Sequence, residues 1–229
     1  MRDGILGRSG LARHDLVWIT PDAWAEMLRK PSDSLQELRE DAVFANWAVR
    51  HRPLVVRRPM KGETPDAAPL ALTLPLTHAR RRIAVLFAPG AIDEVARAPR
   101  LVDAAASAPR RWHATIERLL RLQEGVRCYG SLAWQHLTGL PYLRDDSDID
   151  LLWRHESIRS SEALLGEVQA IEAEAPMRID GELVAADGVA VNWREVHSNA
   201  SQVLAKALDC IAVVSRRDFL AGRASTWVT

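Results

Sequence analysis

Two aspartates separated by a single residue stand at the mouth of an apolar run, "SDIDLLW", and that spacing constrains the chain more than any other feature. In an extended strand side chains alternate, so Asp148 and Asp150 share one face while Ile149 and Leu151 occupy the other. Their backbones lie roughly 6 to 7 Å apart by the strand rise, which lets the carboxylates converge. Converging carboxylates repel each other and lose water, so the pattern calls for a cation between them. Mg²⁺ suits the position, because it takes one or two carboxylates together with waters and substrate phosphates.

Upstream, "VRCYGSLAWQHLTG" reads as a strand, a Gly-Ser pair and a short helix with Ser131 as N-cap and Gly139 as stop. Gly130 lets another group approach the backbone closely, and the helix that Ser131 opens offers N–H groups and a positive dipole end to an anion. A phosphate cradle beside a carboxylate pair implies phosphoryl or nucleotidyl transfer, carried by in-line positioning and charge neutralisation. A third acid should activate the attacking hydroxyl or complete a metal site. Asp180 in "MRIDGELV" is the best placed, since one crossover helix returns the chain to a neighbouring strand. Glu182 shares its face and stays open as the alternative, as does a plain turn of Asp180 with Gly181.

Two familiar acidic motifs fit this run less well. An EF-hand starting at Asp146 would need glycine where Leu151 stands and a bidentate glutamate where Ser157 stands. A glycosyltransferase D-x-D leaves the Gly130-Ser131 helix start unexplained. Asp145 and Asp146 read as solvated loop residues. Arg57, Arg58 and Arg80 to Arg82 offer guanidinium forks for phosphates, and Lys206, in an apolar stretch read as helical, offers a point charge. The seven histidines have no ligand spacing, and no G-x-x-x-x-G-K-S/T loop is present. The eight tryptophans read as core residues or as platforms for an adenine ring.

Composition excludes several classes. Thirty basic and thirty acidic residues cancel, which argues against a nucleic-acid partner. The longest uncharged apolar run, around "IAVLFAPGAI", is too short for a bilayer, and the N-terminus lacks a hydrophobic signal core, so a soluble cytoplasmic protein with no membrane partner is expected. Cys128 and Cys210 lie far apart in apolar surroundings and read as small reduced residues.

An apolar fraction of 48% supports a real core, and the Ala- and Pro-containing stretch from Arg97 to Pro109 suggests two domains, 1–108 and 109–229. In the first, "DLVWIT", "PLVVRRP" and "RRRIAVLFAP" read as strands. Thr20 caps one helix, "SLQELREDAVFANWAVRH" forms another, and "PDAAPLALTLPLTH" is an irregular connection. In the second, helices are expected over "RRWHATIERLLRLQEG", "SEALLGEVQAIEAEA" and "SNASQVLAKALD", with "MRIDGELVAADGVAVNW" a hairpin turning at Asp187-Gly188. The expected fold class is α+β: a nucleotidyltransferase-like mixed sheet flanked by helices, with a smaller N-terminal α/β domain.

The layout of Gly-Ser and D-x-D resembles the nucleotidyltransferase superfamily. More narrowly, "RHDLVWI", "RPLVVRRP", "YGSLAWQHLTGLPYL", "SDIDLL", "RIDGELV", "DGVAVNWREV" and "VLAKAL" resemble the phosphoribosyl-dephospho-CoA transferases, also called malonate decarboxylase holo-acyl-carrier-protein synthases. The resemblance implies an enzyme that takes 2′-(5-triphosphoribosyl)-3′-dephospho-CoA and transfers its phosphoribosyl-dephospho-CoA part to a serine of the acyl carrier subunit of malonate decarboxylase, releasing pyrophosphate. It further implies Mg²⁺ on Asp148 and Asp150, the leaving pyrophosphate on Gly130 and Ser131, and Asp180 as base or metal ligand. The N-terminal half is left for docking the carrier or the CoA arm, with Arg57, Arg58 and Arg80 to Arg82 as docking residues for an acidic carrier. A related carrier such as that of citrate lyase, a nucleotidyltransferase acting on another hydroxyl, and a non-catalytic nucleotide-binding module are the alternatives.

Overall fold

The computed structural model describes residues 10–31, 33–78, 81–198 and 200–223. The chain divides into two compact units, Met1–Arg97 and Ala98–Thr229. The division precedes the boundary expected near residue 108, because the Ala-rich stretch is not a linker. It forms a short helix at Leu101–Ala104 followed by a 3₁₀ turn, and Leu101, Ala104 and Ala108 are buried in the second unit's core.

In the first unit β1 (Leu16–Ile19) lies between β2 (Leu54–Val56) and β5 (Ile92–Ala96), with β3 (Ala68–Thr73) and then β4 (Arg82–Phe87) continuing the sheet beyond β2. Every pairing is antiparallel, so the expected α/β character resolves into helices attached to an antiparallel sheet. The Thr20 hydroxyl caps α1 (Pro21–Arg29) by accepting from the Ala23 N–H at 3.4 Å. That helix buries Trp24 edge-on to Phe44 and stacked on Phe87.

Two expectations fail in this unit. The single helix expected after residue 34 is two, α2 (Asp33–Arg39) and α3 (Ala42–Ala45), because the Asp41 carboxylate accepts from the N–H groups of Val43 and Phe44 and starts a new helix. The supposed irregular connection contains β3 (Ala68–Thr73), a buried strand between β2 and β4 (Arg82–Phe87). A strand buried on both faces shows no alternation, and its Ala, Pro and Leu content conceals it.

The second unit carries a mixed six-stranded sheet, ordered β11 (Ile211–Ser215), β10 (Gln202–Lys206), β9 (Ala190–Asn192), β8 (Ile179–Val184), β7 (Ile149–Arg154) and β6 (Arg127–Tyr129). Its core begins with α5 (His113–Leu122), preceded by α4 at Leu101–Ala104, and Trp112, Ile116 and Leu119 point inward as their helical spacing predicts. Then follow β6 (Arg127–Tyr129), α6 (Gly130–Thr138), β7 (Ile149–Arg154) and α7 (Ile158–Glu172). The expected hairpin is present as β8 (Ile179–Val184) and β9 (Ala190–Asn192), with the Asp187 side chain accepting from the Val189 N–H at 3.0 Å. After α8 (Trp193–His197), the expected helix over "SNASQVLAKALD" is instead the strand β10 (Gln202–Lys206), paired antiparallel with β11 (Ile211–Ser215); Asn199 lies outside the described residues. Its Ala, Leu and Lys favour helix in isolation. Burial of Val203 and Ala205 between two partner strands overrides that preference. The helix α9 (Arg216–Leu220) closes the unit.

Parallel pairing of β7 with β8 across α7 fixes the site, since it aligns Asp150 with Asp180. Gly181 makes this pairing possible: a Cβ there would lie 2.3 Å from the Leu151 carbonyl oxygen. Five tryptophans, Trp24, Trp47, Trp112, Trp153 and Trp193, are fully buried, which answers the core expectation for them. Among the described residues no helix is long and apolar enough to cross a membrane.

Burial pushes the Cys128 thiol up to about 12, and the nearby Asp150 charge acts the same way. A thiol held that high is not a nucleophile at neutral pH. Native protein treated with a thiol reagent is therefore expected to label at the half-buried Cys210, and Cys128 only after denaturation, as read by the intact mass of the adducts.

Candidate active site

Asp148 precedes β7, Asp150 is its second residue, and Asp180 is the second residue of β8. The parallel register sets Asp150 beside Asp180, and one carboxylate oxygen from each of the three aspartates lies within 4.8 Å of the others. All three are half-buried. The geometry thus selects Asp180 over Glu182 as the third member. Glu182, the alternative, is only 4% exposed and is paired with the Lys206 ammonium at 3.6 Å.

A closed turn directs the preceding loop. The Ser147 hydroxyl accepts from the Arg144 N–H at 2.8 Å, while Asp145 and Asp146 project outward to Arg111 and Arg144. These two acids are solvated, as the sequence suggested.

Gly130 lies against the cluster. Its φ is +65°, and a Cβ on it would stand 1.8 Å from Asp150 Oδ2. Glycine is required here twice, for the left-handed backbone and for the room the carboxylate occupies. The expected N-cap is corrected: Tyr129 holds that position, with no side-chain capping bond, and Ser131 lies buried inside the first turn of α6. The reversal at Gly130 starts the helix earlier than a serine cap would. Gly139 ends the helix in a left-handed conformation, as expected.

The remaining expected residues lie elsewhere or act differently. Lys206 ends β10 rather than sitting mid-helix. Arg57, in the first unit, is held by Glu63 through two hydrogen bonds of 2.6 and 2.9 Å and also donates to the Leu70 carbonyl, so its guanidinium is committed to structure. Arg58 is exposed, Arg81 reaches Glu37, Arg82 is exposed on β4, and Arg80 lies outside the described residues.

Residues not singled out from sequence complete the surroundings. Asp180 Oδ1 accepts from the Asn192 amide at 2.9 Å and from the Gly181 N–H at 2.8 Å. The main chain at Ile179 is gripped from both sides. Its N–H donates to Glu172 at 2.8 Å, and its carbonyl accepts from Trp193 Nε1 at 3.0 Å and from Arg194 at 2.9 Å. Arg194 forms a two-pronged pair with Glu172 and stacks over the Trp193 ring. Burial alone would raise the Glu172 carboxyl, yet hydrogen bonds from Arg194 and the Ile179 N–H hold it below its ordinary 4.5. Reciprocally, Glu172 raises Arg194. The only sequence signal for this group was the Asn-before-helix pattern of "NWREV", typical of an N-cap.

A carboxyl depressed in the folded state contributes stability at pH above its unfolded value, and that stability is lost as pH falls through the folded value. The midpoint of thermal unfolding is therefore expected to drop below about pH 4.5, with a smaller drop in Glu172→Gln, measured by melting across a pH series.

Together these features define an α+β domain whose mixed sheet presents three converging carboxylates beside a glycine-opened helix. Residues 100–217 match the family described as phosphoribosyl-dephospho-CoA transferase MdcG C-terminal domain, and residues 12–98 match the corresponding N-terminal domain. A phosphoribosyl-dephospho-CoA transferase of Bradyrhizobium diazoefficiens is 42% identical over 214 residues, covering 92% of each chain. One of Xanthomonas campestris pv. campestris is 34% identical over 208 residues, covering 89% of this chain and 94% of that one. The chain belongs to the phosphoribosyl-dephospho-CoA transferase family, and it is a transferase. No solved structure matches it.

Proposed function

We propose that this chain acts in the cytoplasm, transferring the phosphoribosyl-dephospho-CoA group from 2′-(5-triphosphoribosyl)-3′-dephospho-CoA to a serine of the acyl carrier subunit of malonate decarboxylase. The family supports the donor class, and the three-carboxylate cluster is the observation that carries the chemistry. In this reaction the serine oxygen bonds to the phosphorus next to the ribose, the bond to pyrophosphate breaks, and the hydroxyl proton leaves to a base.

The donor set fits Mg²⁺: three hard carboxylate oxygens within mutual reach, and no thiolate or imidazole in the cluster. Asp148, Asp150 and Asp180 would hold the ion, which when bound offsets the negative charge of the triphosphate. Gly130 leaves room for the Asp150 carboxylate, and the start of α6 beside it would receive the departing pyrophosphate on its N–H groups. The Lys206 ammonium, held by Glu182, is a further phosphate contact on the same sheet. Arg58 and Arg82, both exposed, are the expected docking residues that remain available in the first unit for an acidic carrier.

Intact-mass spectrometry of the apo carrier subunit, incubated with this protein, Mg²⁺ and the donor, tests the proposal. A gain equal to the prosthetic group, abolished by EDTA, is expected. An unmodified carrier, with carrier folded and donor intact, would reject it.

A further inference from the structure

We infer that Asn192 is a positioning residue for Asp180, an assignment that rests on Asp180 being part of the metal-binding cluster. Asn192 is the last residue of β9 and the N-cap of α8. Its Oδ1 accepts from the Arg194 N–H at 2.9 Å, and its Nδ2 donates to Asp180 Oδ1 at 2.9 Å. The cap determines the orientation of the amide. A backbone N–H can only be met by the oxygen end, so the planar group must turn its NH₂ end toward Asp180.

The consequence for Asp180 is directional. The donors from Asn192 and Gly181 both fall on Oδ1, so neither uses Oδ2. This fixes the carboxylate rotation about its terminal torsion, which is otherwise soft. A neutral donor does this without placing a competing cation at the site. The neighbouring cation, Arg194, is engaged by Glu172 and by the Ile179 carbonyl, which immobilise the backbone one residue before Asp180. Residues 192 to 194 therefore act as one bracket, with Asn192 on the acid itself and Trp193 and Arg194 on the main chain beside it.

The positioning role separates from the capping role by substitution. Asn192→Ser keeps a side-chain oxygen for the α8 cap but cannot reach Asp180, and Asn192→Thr is the second such variant should the serine chain fail to fold. Binding of Mn²⁺ to the full chain, followed by the electron paramagnetic resonance signal of the free ion, is the readout, with unfolding in EDTA measured alongside. The expected result is Mn²⁺ affinity about 10-fold weaker or more, the scale for losing a group that orients a metal ligand, with the metal-free unfolding midpoint unchanged. Wild-type affinity in Asn192→Ser, with binding lost in Asp148→Asn, overturns the positioning role alone. Wild-type affinity in Asp148→Asn as well overturns the metal site on which it rests.

Discussion

Asp150→Asn is expected to lower transfer about 100- to 1000-fold, the scale on which a fixed electrostatic element of a transition state is lost, while the protein stays folded. Asp150 touches both halves of the site. Its carboxylate lies against Gly130 at the start of α6, and its backbone is aligned with Asp180 on the neighbouring strand. Replacing it by the isosteric amide removes one charge from three carboxylates whose oxygens lie within 4.8 Å of one another. Without a cation those charges repel, so the variant should melt at the same temperature as the wild type or above it in EDTA. The wild type should gain stability on addition of Mg²⁺ through ligand linkage, and the variant should gain much less. Melting curves with and without Mg²⁺, set beside the carrier mass assay, check both parts. Wild-type transfer in Asp150→Asn would remove the cluster from the mechanism.

Gly130→Ala should reduce transfer by a comparable factor, about 100-fold, for a steric reason. The added Cβ would stand 1.8 Å from Asp150 Oδ2, so the carboxylate must rotate out of the cluster. The left-handed backbone adds about 1 to 2 kcal/mol of strain for a residue with a Cβ. Gly139, at the other end of the same helix, separates the two effects. Its φ is +68°, and nothing lies within 4 Å of where its Cβ would be. Gly139→Ala should therefore show a similar loss of stability and retain transfer. If both alanine variants transfer equally well, close approach to Asp150 has no role.

The layout of the candidate site was legible in large part because its spacing is local. Asp148 and Asp150 are two residues apart, Gly130 and Ser131 are adjacent, and the strand, helix, strand order forces the crossover that returns Asp180 to Asp150. The choice between Asp180 and Glu182 was not legible. It depends on the β7–β8 register, which sets Asp150 beside Asp180, while Glu182 pairs with Lys206 of β10, a strand that sequence propensity presented as a helix. For Asn192 only the capping role had a sequence signal; its bond to Asp180 runs to another element twelve residues away in sequence and was not legible.

By itself the sequence determined the α+β class, the amphipathic α5, the β8–β9 hairpin and the placing of a strand, a Gly-Ser pair and a helix ahead of the acid pair, though with Ser131 as the cap; that the helix opens at Gly130 came from the structure. These follow from periodicities and turn chemistry that act over a few residues. Tertiary structure decided the rest: that "APLALT" is a central strand, that "QVLAK" extends the second sheet, that Arg57 serves Glu63, and that the Ala-rich stretch belongs to a core. In the two strands and the Ala-rich stretch, intrinsic backbone preferences of a few tenths of a kcal/mol per residue were outweighed by ladder bonds or by burial worth about 1.5 to 3 kcal/mol for each large apolar side chain, and Arg57 was claimed by a carboxylate six residues on; only the assembled neighbours supply these terms.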